Sequence, residues 1–254
     1  MKILLISWSF PPTAGPRAIK ADAIARELLQ RGHTVSLITR DAVGDFDTAI
    51  LTRLRELVLM PTGEWLTLPV KLHASETGLG TSWIFRKMNG LLYKLLCYPG
   101  IGALVRTRKA LSRLNEQKFD FTLSIDGPQP MHWAVARERA RNPNRLGVWV
   151  ADCGDPLLRV SPGNKPARYF RLIENWFLTK ADYITVPVPQ GTTYFEARFK
   201  EKIHTVPHSL SFPESRSSQR AAEHAFDEEA IRFAYAGNLA PYRERLLEFC
   251  ECLP

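Results

Sequence analysis

Lys2-Ile3-Leu4-Leu5-Ile6-Ser7, then Pro11-Pro12-Thr13-Ala14-Gly15, then Arg31-Gly32-His33-Thr34-Val35-Ser36-Leu37-Ile38-Thr39 decide the fold of this 254-residue chain. The first run is apolar without alternation, as expected of a strand (3–8) covered on both faces. A tight Pro/Gly loop follows, then a helix over 17–31 and a second strand over 34–39. A strand, loop and helix in that order aim the loop amides and the helix N-terminus at the space beyond the strand. That space suits an anion such as a phosphate.

The same alternation continues along the chain. A weak strand is read near 56–60, and helical stretches over 83–97 and 101–117 are separated by Pro99-Gly100. Then come strand 121–125, helix 131–141, strand 147–151, helix 166–180, strand 183–187, helix 190–199 and strand 203–206. Short apolar strands alternating with helices predict an α/β domain, a doubly wound, Rossmann-like parallel sheet. Ligands of such sheets sit beyond the strands' carboxyl ends, which lines Ser7–Gly15, Asp126–His132 and Asp152–Asp155 along one edge. Residues 209–230 are polar and turn-rich and read as a linker. Beyond it stand only a strand over 231–236 and a helix over 241–252. The expected organisation is a first domain over 1–208, the linker 209–230, and the opening βα unit, 231–254, of an incomplete second domain.

Composition narrows the class. With 45% apolar residues the chain can bury a substantial core, and no apolar run approaches the ~20 residues that span a bilayer. Cys97, Cys153, Cys250 and Cys252 show neither a disulfide framework nor zinc-ligand spacing, which points to a reducing cytoplasm. The net charge of +8 is unevenly spread. No acidic residue lies between Glu76 and Glu116, where Arg86, Lys87, Lys94, Arg106, Arg108, Lys109 and Arg113 alternate with Trp83, Phe85, Tyr93 and aliphatic residues. The segment 83–113 therefore suits either an anionic membrane surface, on the inner face, or plain packing on the sheet with solvated cations. No helix-turn-helix, stacking-aromatic or zinc-finger pattern accompanies the charge, so nucleic acid is not expected as a partner.

Several residues at the predicted edge can carry chemistry. His132 stands where a loop becomes a helix, and a helix N-terminus keeps an imidazole neutral, as a hydrogen-bonding group. Asp152 and Asp155 end a strand and share one turn. They suit sugar hydroxyls, acid/base work or a divalent cation, or else ordinary turn chemistry. Arg17 and Lys20, beside the Pro/Gly loop, meet either an anionic substrate or solvent. His208 reads as a hinge residue.

Pro11, Pro12 and Gly15 with Gly32, His33 and Val35 resemble the first βα unit of a GT-B glycosyltransferase of the family-4 type. Pro16 replaces that pattern's second glycine, removing one amide from the anion cradle while starting the helix cleanly. Four later segments resemble the family in order and spacing: Phe119–Ser124, Gly147–Pro156, Lys180–Val186 with Lys202–His208, and Phe233–Asn238. The resemblance implies the GT-B N-terminal, acceptor-side domain and a nucleotide-sugar donor rather than a bound cofactor or metal. It further implies retention of configuration and a polysaccharide or lipid-linked acceptor. Under it His132 and Asp152 are the catalytic candidates, with Gly15, Arg17, Asp155, Gly237 and Arg243 binding substrate. Arg243 is the basic residue that would balance the donor diphosphate. The family's later Glu-x7-Glu segment has no counterpart here, so the 254-residue chain alone is expected to show little or no transfer. The rival class is a non-catalytic acceptor- or membrane-binding subunit, served by a second chain that supplies the donor domain. A nicotinamide enzyme is disfavoured, because the first loop has no Gly-x-Gly-x-x-Gly.

Overall fold

A computed structural model describes residues 1–13, 15–40, 46–61, 100–114, 117–125, 127–154 and 169–207. All lie within one of the chain's two compact units, Met1–Ser211; the other is Phe212–Pro254. The expectations for 83–97, for the linker 209–230, for the βα unit 231–254, and for Asp155, His208, Gly237 and Arg243 fall outside the described residues.

Among the described residues seven strands form one sheet: β1 (Lys2–Ser7), β2 (Thr34–Arg40), β3 (Glu56–Met60), β4 (Phe121–Ile125), β5 (Val148–Asp152), β6 (Tyr183–Val186) and β7 (Ile203–Thr205). They run in the order β3-β2-β1-β4-β5-β6-β7, and every neighbouring pair is parallel. Helices α1 (Pro16–Gln30), α3 (Ile101–Arg113), α4 (Pro130–Arg141) and α5 (Phe170–Lys180) connect them. A four-residue helix α2 (Thr48–Leu51) is held at its start by the Asp47 carboxylate, which accepts from the Ala49 N–H at 2.8 Å.

The apolar run of β1 is dictated by burial on both sides. Leu5 packs with Ala21, Ala25 and Leu29 of α1, while Leu4 and Ile6 pack with Leu111 of α3, Val135 of α4 and Phe177 of α5. Each of these Leu, Ile, Val and Phe side chains withdrawn from water is worth about 1.5–3 kcal/mol. Small residues on the buried stripe of α1, Ala18, Ala21 and Ala25, bring that helix close to the sheet. The helix ends in a Schellman motif: the His33 N–H donates to the Leu28 carbonyl at 3.0 Å and the Gly32 N–H to that of Leu29 at 3.1 Å.

The helix expected over 190–199 is instead two 3₁₀ segments, Pro189–Tyr194 and Ala197–Lys202. Thr192 and Thr193 donate their hydroxyls to the Pro189 and Gln190 carbonyls at 2.8 and 2.7 Å, and Phe195 is extended (φ −103°, ψ 156°). Those local bonds compete with α-helical pairing, and the extended residue stops it. The described half of the basic segment forms α3. It turns Ala103, Thr107, Ala110 and Leu111 inward, and Arg113 donates to the Leu59 carbonyl at 3.0 Å. Among the described residues no helix is long and apolar enough to cross a membrane.

Candidate functional site

The strand order reverses between β1 and β4, and there the carboxyl ends of the central strands finish level with one another. Ser7 pairs with Ile125, Ile125 with Asp152, and Asp152 with Thr185. The loops leaving β1, β4 and β5 therefore rise from neighbouring points of one edge, the usual ligand position in a doubly wound sheet.

The β1–α1 loop delivers Gly15 and Arg17. Gly15 caps α1 with φ 140°, and Pro16 occupies the first helical position, where its missing N–H costs nothing. Arg17 swings its guanidinium over Gly127 in the β4–α4 loop, 2.7–2.9 Å from where a β-carbon there would stand. Two loops far apart in sequence are thus in contact at the predicted edge.

Lys20, one turn further along α1, reaches across to β5. Its Nζ donates to both carboxylate oxygens of Asp152, at 2.9 and 2.8 Å, and the Thr185 hydroxyl donates to Asp152 Oδ1 at 2.8 Å. Side-chain exposures of 12% for Lys20 and 6% for Asp152 make this a buried ion pair. With three hydrogen bonds from two donor groups on its two oxygens, the Asp152 carboxylate is a charge-balanced structural anchor at this edge. It is not a free base or an open metal ligand.

His132 lies in the first turn of α4, fully buried, with its ring stacked on Phe177 at 5.5 Å between centroids. Its Nδ1 is 2.8 Å from Ser124 Oγ, and Trp149 Nε1 donates to that same oxygen at 2.8 Å. Burial pushes the imidazole pKa down to about 4, against the opposing pull of the Asp152 charge and main-chain carbonyl. The neutrality expected from a helix start is present, and its largest cause is desolvation.

This shift carries a sign. The unfolded histidine titrates near 6.5 and the folded one near 4, so on acidification the unfolded chain takes its proton first. The histidine's contribution is complete above pH 6.5 and drains away as pH falls toward 4, by about 3 kcal/mol in all. Urea midpoints measured across that window should fall more steeply for the wild type than for His132→Gln. Parallel curves would show that His132 is solvated.

Of the residues anticipated from sequence, Gly15, Arg17, His132 and Asp152 stand on this one edge, whereas Asp155, Gly237 and Arg243 lie outside the described residues. Lys20, expected to meet either an anionic substrate or solvent, is instead the partner of Asp152. Ser124, Trp149 and Thr185 were not anticipated as site residues. The signal available for Ser124 and Thr185 was a hydroxyl within an otherwise apolar strand, at the level where the strand ends.

No protein-family model matches the chain. No curated protein matches it either. Among solved structures, Arabidopsis thaliana UGT89C1 complexed with UDP-L-rhamnose matches with a TM-score of 0.54 at 11% identity, over 89% of this chain and 55% of that one. The same protein complexed with UDP matches with a TM-score of 0.46 at 12% identity, over 89% and 55%. Acinetobacter baumannii MurG matches with a TM-score of 0.40 at 12% identity, over 85% and 47%. The chain spans about half the length of these solved structures. At such identity the likeness is one of fold: a Rossmann-like parallel sheet with helices on both faces.

Proposed function

We propose that this chain is the acceptor-side portion of a glycosyltransferase that moves a sugar from a nucleotide-sugar donor to a polysaccharide or lipid-linked acceptor. The observation that carries the reading is the meeting of the β1, β4 and β5 loop ends at the switch-point edge of this sheet. One solved structure that matches the sheet, UGT89C1, holds UDP-L-rhamnose. The family-4 resemblance of the first βα unit adds retention of configuration and independence from metal. In this reading Arg17 faces the anionic part of a substrate at the mouth of the edge. His132, neutral at physiological pH and fully buried in the free chain, hydrogen-bonds a substrate oxygen once binding uncovers its ring. Asp152, clamped by Lys20, holds the β5 end against α1 so that the two loops keep their spacing. The donor is gripped by an opposing domain, and domain closure excludes water from the bond being made.

The test is a ligand titration of the ¹⁵N-labelled chain, followed by amide NMR. Nucleotide sugars and short glycans at millimolar concentration should shift Gly15–Lys20, Gly127–Trp133 and Asp152–Gly154. His132→Ala should abolish the response. Silence at all three segments across a panel of both ligand classes would sink the assignment.

A further inference from the structure

Ser124 Oγ lies 2.8 Å from Trp149 Nε1 and 2.8 Å from His132 Nδ1, and all three side chains are buried. These two contacts leave little freedom in where the protons sit. An indole nitrogen only donates, so Trp149 occupies a lone pair of the serine oxygen. Its second lone pair could accept from Nδ1–H, but the serine's own proton would then be buried without an acceptor, since among the described residues the neighbour in reach is His132 Nδ1. That nitrogen then accepts, and a neutral imidazole accepting at Nδ1 carries its own proton on Nε2. Among the described residues Nε2 is buried and makes no hydrogen bond of full geometry, although the main-chain carbonyl of Asp152 bears on the ring.

We propose that Ser124 and Trp149 are positioning residues that lock His132 in the Nε2–H tautomer, so that its ring offers a hydrogen-bond donor and no lone pair for base catalysis. For its use the inference rests on the reading of His132 as a substrate-contacting residue; the tautomer itself does not depend on any ligand. The group that Nε2–H can meet is an acceptor oxygen, the Asp152 main-chain carbonyl in the folded chain or a sugar hydroxyl or phosphate oxygen where substrate uncovers the ring. Proton removal from an acceptor does not pass through this ring.

The surroundings agree. The charged groups on the packed elements are Asp152 at the end of β5, Lys20 on α1, and the buried Glu174 on α5. Lys20 already balances Asp152, so that carboxylate does not force a second proton onto the ring. Phe177 covers the ring from α5, and the desolvation this brings favours the neutral form.

The experiment is long-range ¹H–¹⁵N NMR of the imidazole in the full chain, between about pH 5 and about pH 8, a range above the folded pKa of about 4. The wild type should show a protonated Nε2 and a bare Nδ1, unchanged over that range. Ser124→Ala removes the proton that Nδ1 accepts, and Trp149→Phe frees the hydroxyl to accept from Nδ1–H instead. Each variant should therefore move the two nitrogen shifts toward a mixed tautomer. A wild-type proton on Nδ1, or a tautomer unmoved in either variant that folds, would overturn the proposal. These outcomes are read without substrate, so they stand apart from the ligand titration that tests the proposed function.

Discussion

Lys20→Met is expected to destabilise the chain by about 3 kcal/mol or more, because it strands the Asp152 carboxylate in a buried position. Lys20 Nζ contacts both oxygens of that carboxylate at 2.9 and 2.8 Å, with side-chain exposures of 12% and 6%. Methionine keeps most of the length and the apolar stem, so the packing of α1 on the sheet is preserved and the charge is what changes. The Thr185 hydroxyl remains as one donor to Oδ1, which softens the loss without balancing the charge. Adding Asp152→Asn should recover part of the stability, since a neutral amide still accepts from Thr185. The double substitution should therefore cost less than the two single costs combined. Urea unfolding with an unchanged m-value is the measurement. A loss under about 1 kcal/mol would mean that the pair behaves as a surface contact.

Gly147→Ala is expected to cost about 4 kcal/mol or more, among the largest effects available to a single methyl group. Gly147 has φ 58°, and a β-carbon there would stand 2.2 Å from the Asp120 carbonyl oxygen, 2.3 Å from its carbon and 2.6 Å from the Phe119 oxygen. All three are main-chain atoms, so no side-chain rotation relieves the overlap. The same crossing carries the Val148 N–H to Asp120 at 3.0 Å, the Phe119 N–H to Arg145 at 2.8 Å, and Arg139 Nη1 to the Gly147 carbonyl at 3.0 Å. Moving the main chain there opens the start of the β4–β5 pair. Gly32→Ala is the control. Its φ is 77° but its β-carbon meets nothing within 4 Å, so it should cost only the conformational penalty of about 1–2 kcal/mol. Thermal unfolding should separate the two variants clearly, at roughly 2–4 °C per kcal/mol for a domain of this size. Equal midpoints would show that the loop before β5 rearranges freely.

The strands were readable from sequence because burial on both faces turns a parallel strand into a short unbroken apolar run. Phe121–Ile125 was bounded to the residue, and β1, β2, β5, β6 and β7 to within one residue at either end. The weak pattern near 56–60 is strand β3, which among the described residues stands at one edge of the sheet and pairs with β2. Two elements escaped. Helix α2 is too short to show a period, and the 3₁₀ pair after β6 looked helical because the competing threonine bonds leave no mark on hydrophobic spacing.

The site divides in the same way. That His132 starts a helix after a strand and Asp152 ends a strand are local facts, and alternation of strand and helix carries both to the same edge. What each side chain does there is not local. Lys20 and Asp152 are 132 positions apart, and Trp149 and Ser124 are 25. Each pair meets only through the level register of β1, β4 and β5 and the close seat of α1. By itself the chain's order of apolar runs, loops and helices determined a doubly wound sheet and the edge where a ligand belongs, because secondary structure answers to neighbours within a few residues. Only the folded arrangement decided that Asp152 is a clamped anchor and that His132 is buried and neutral, since charge balance and desolvation depend on which distant groups share the interior.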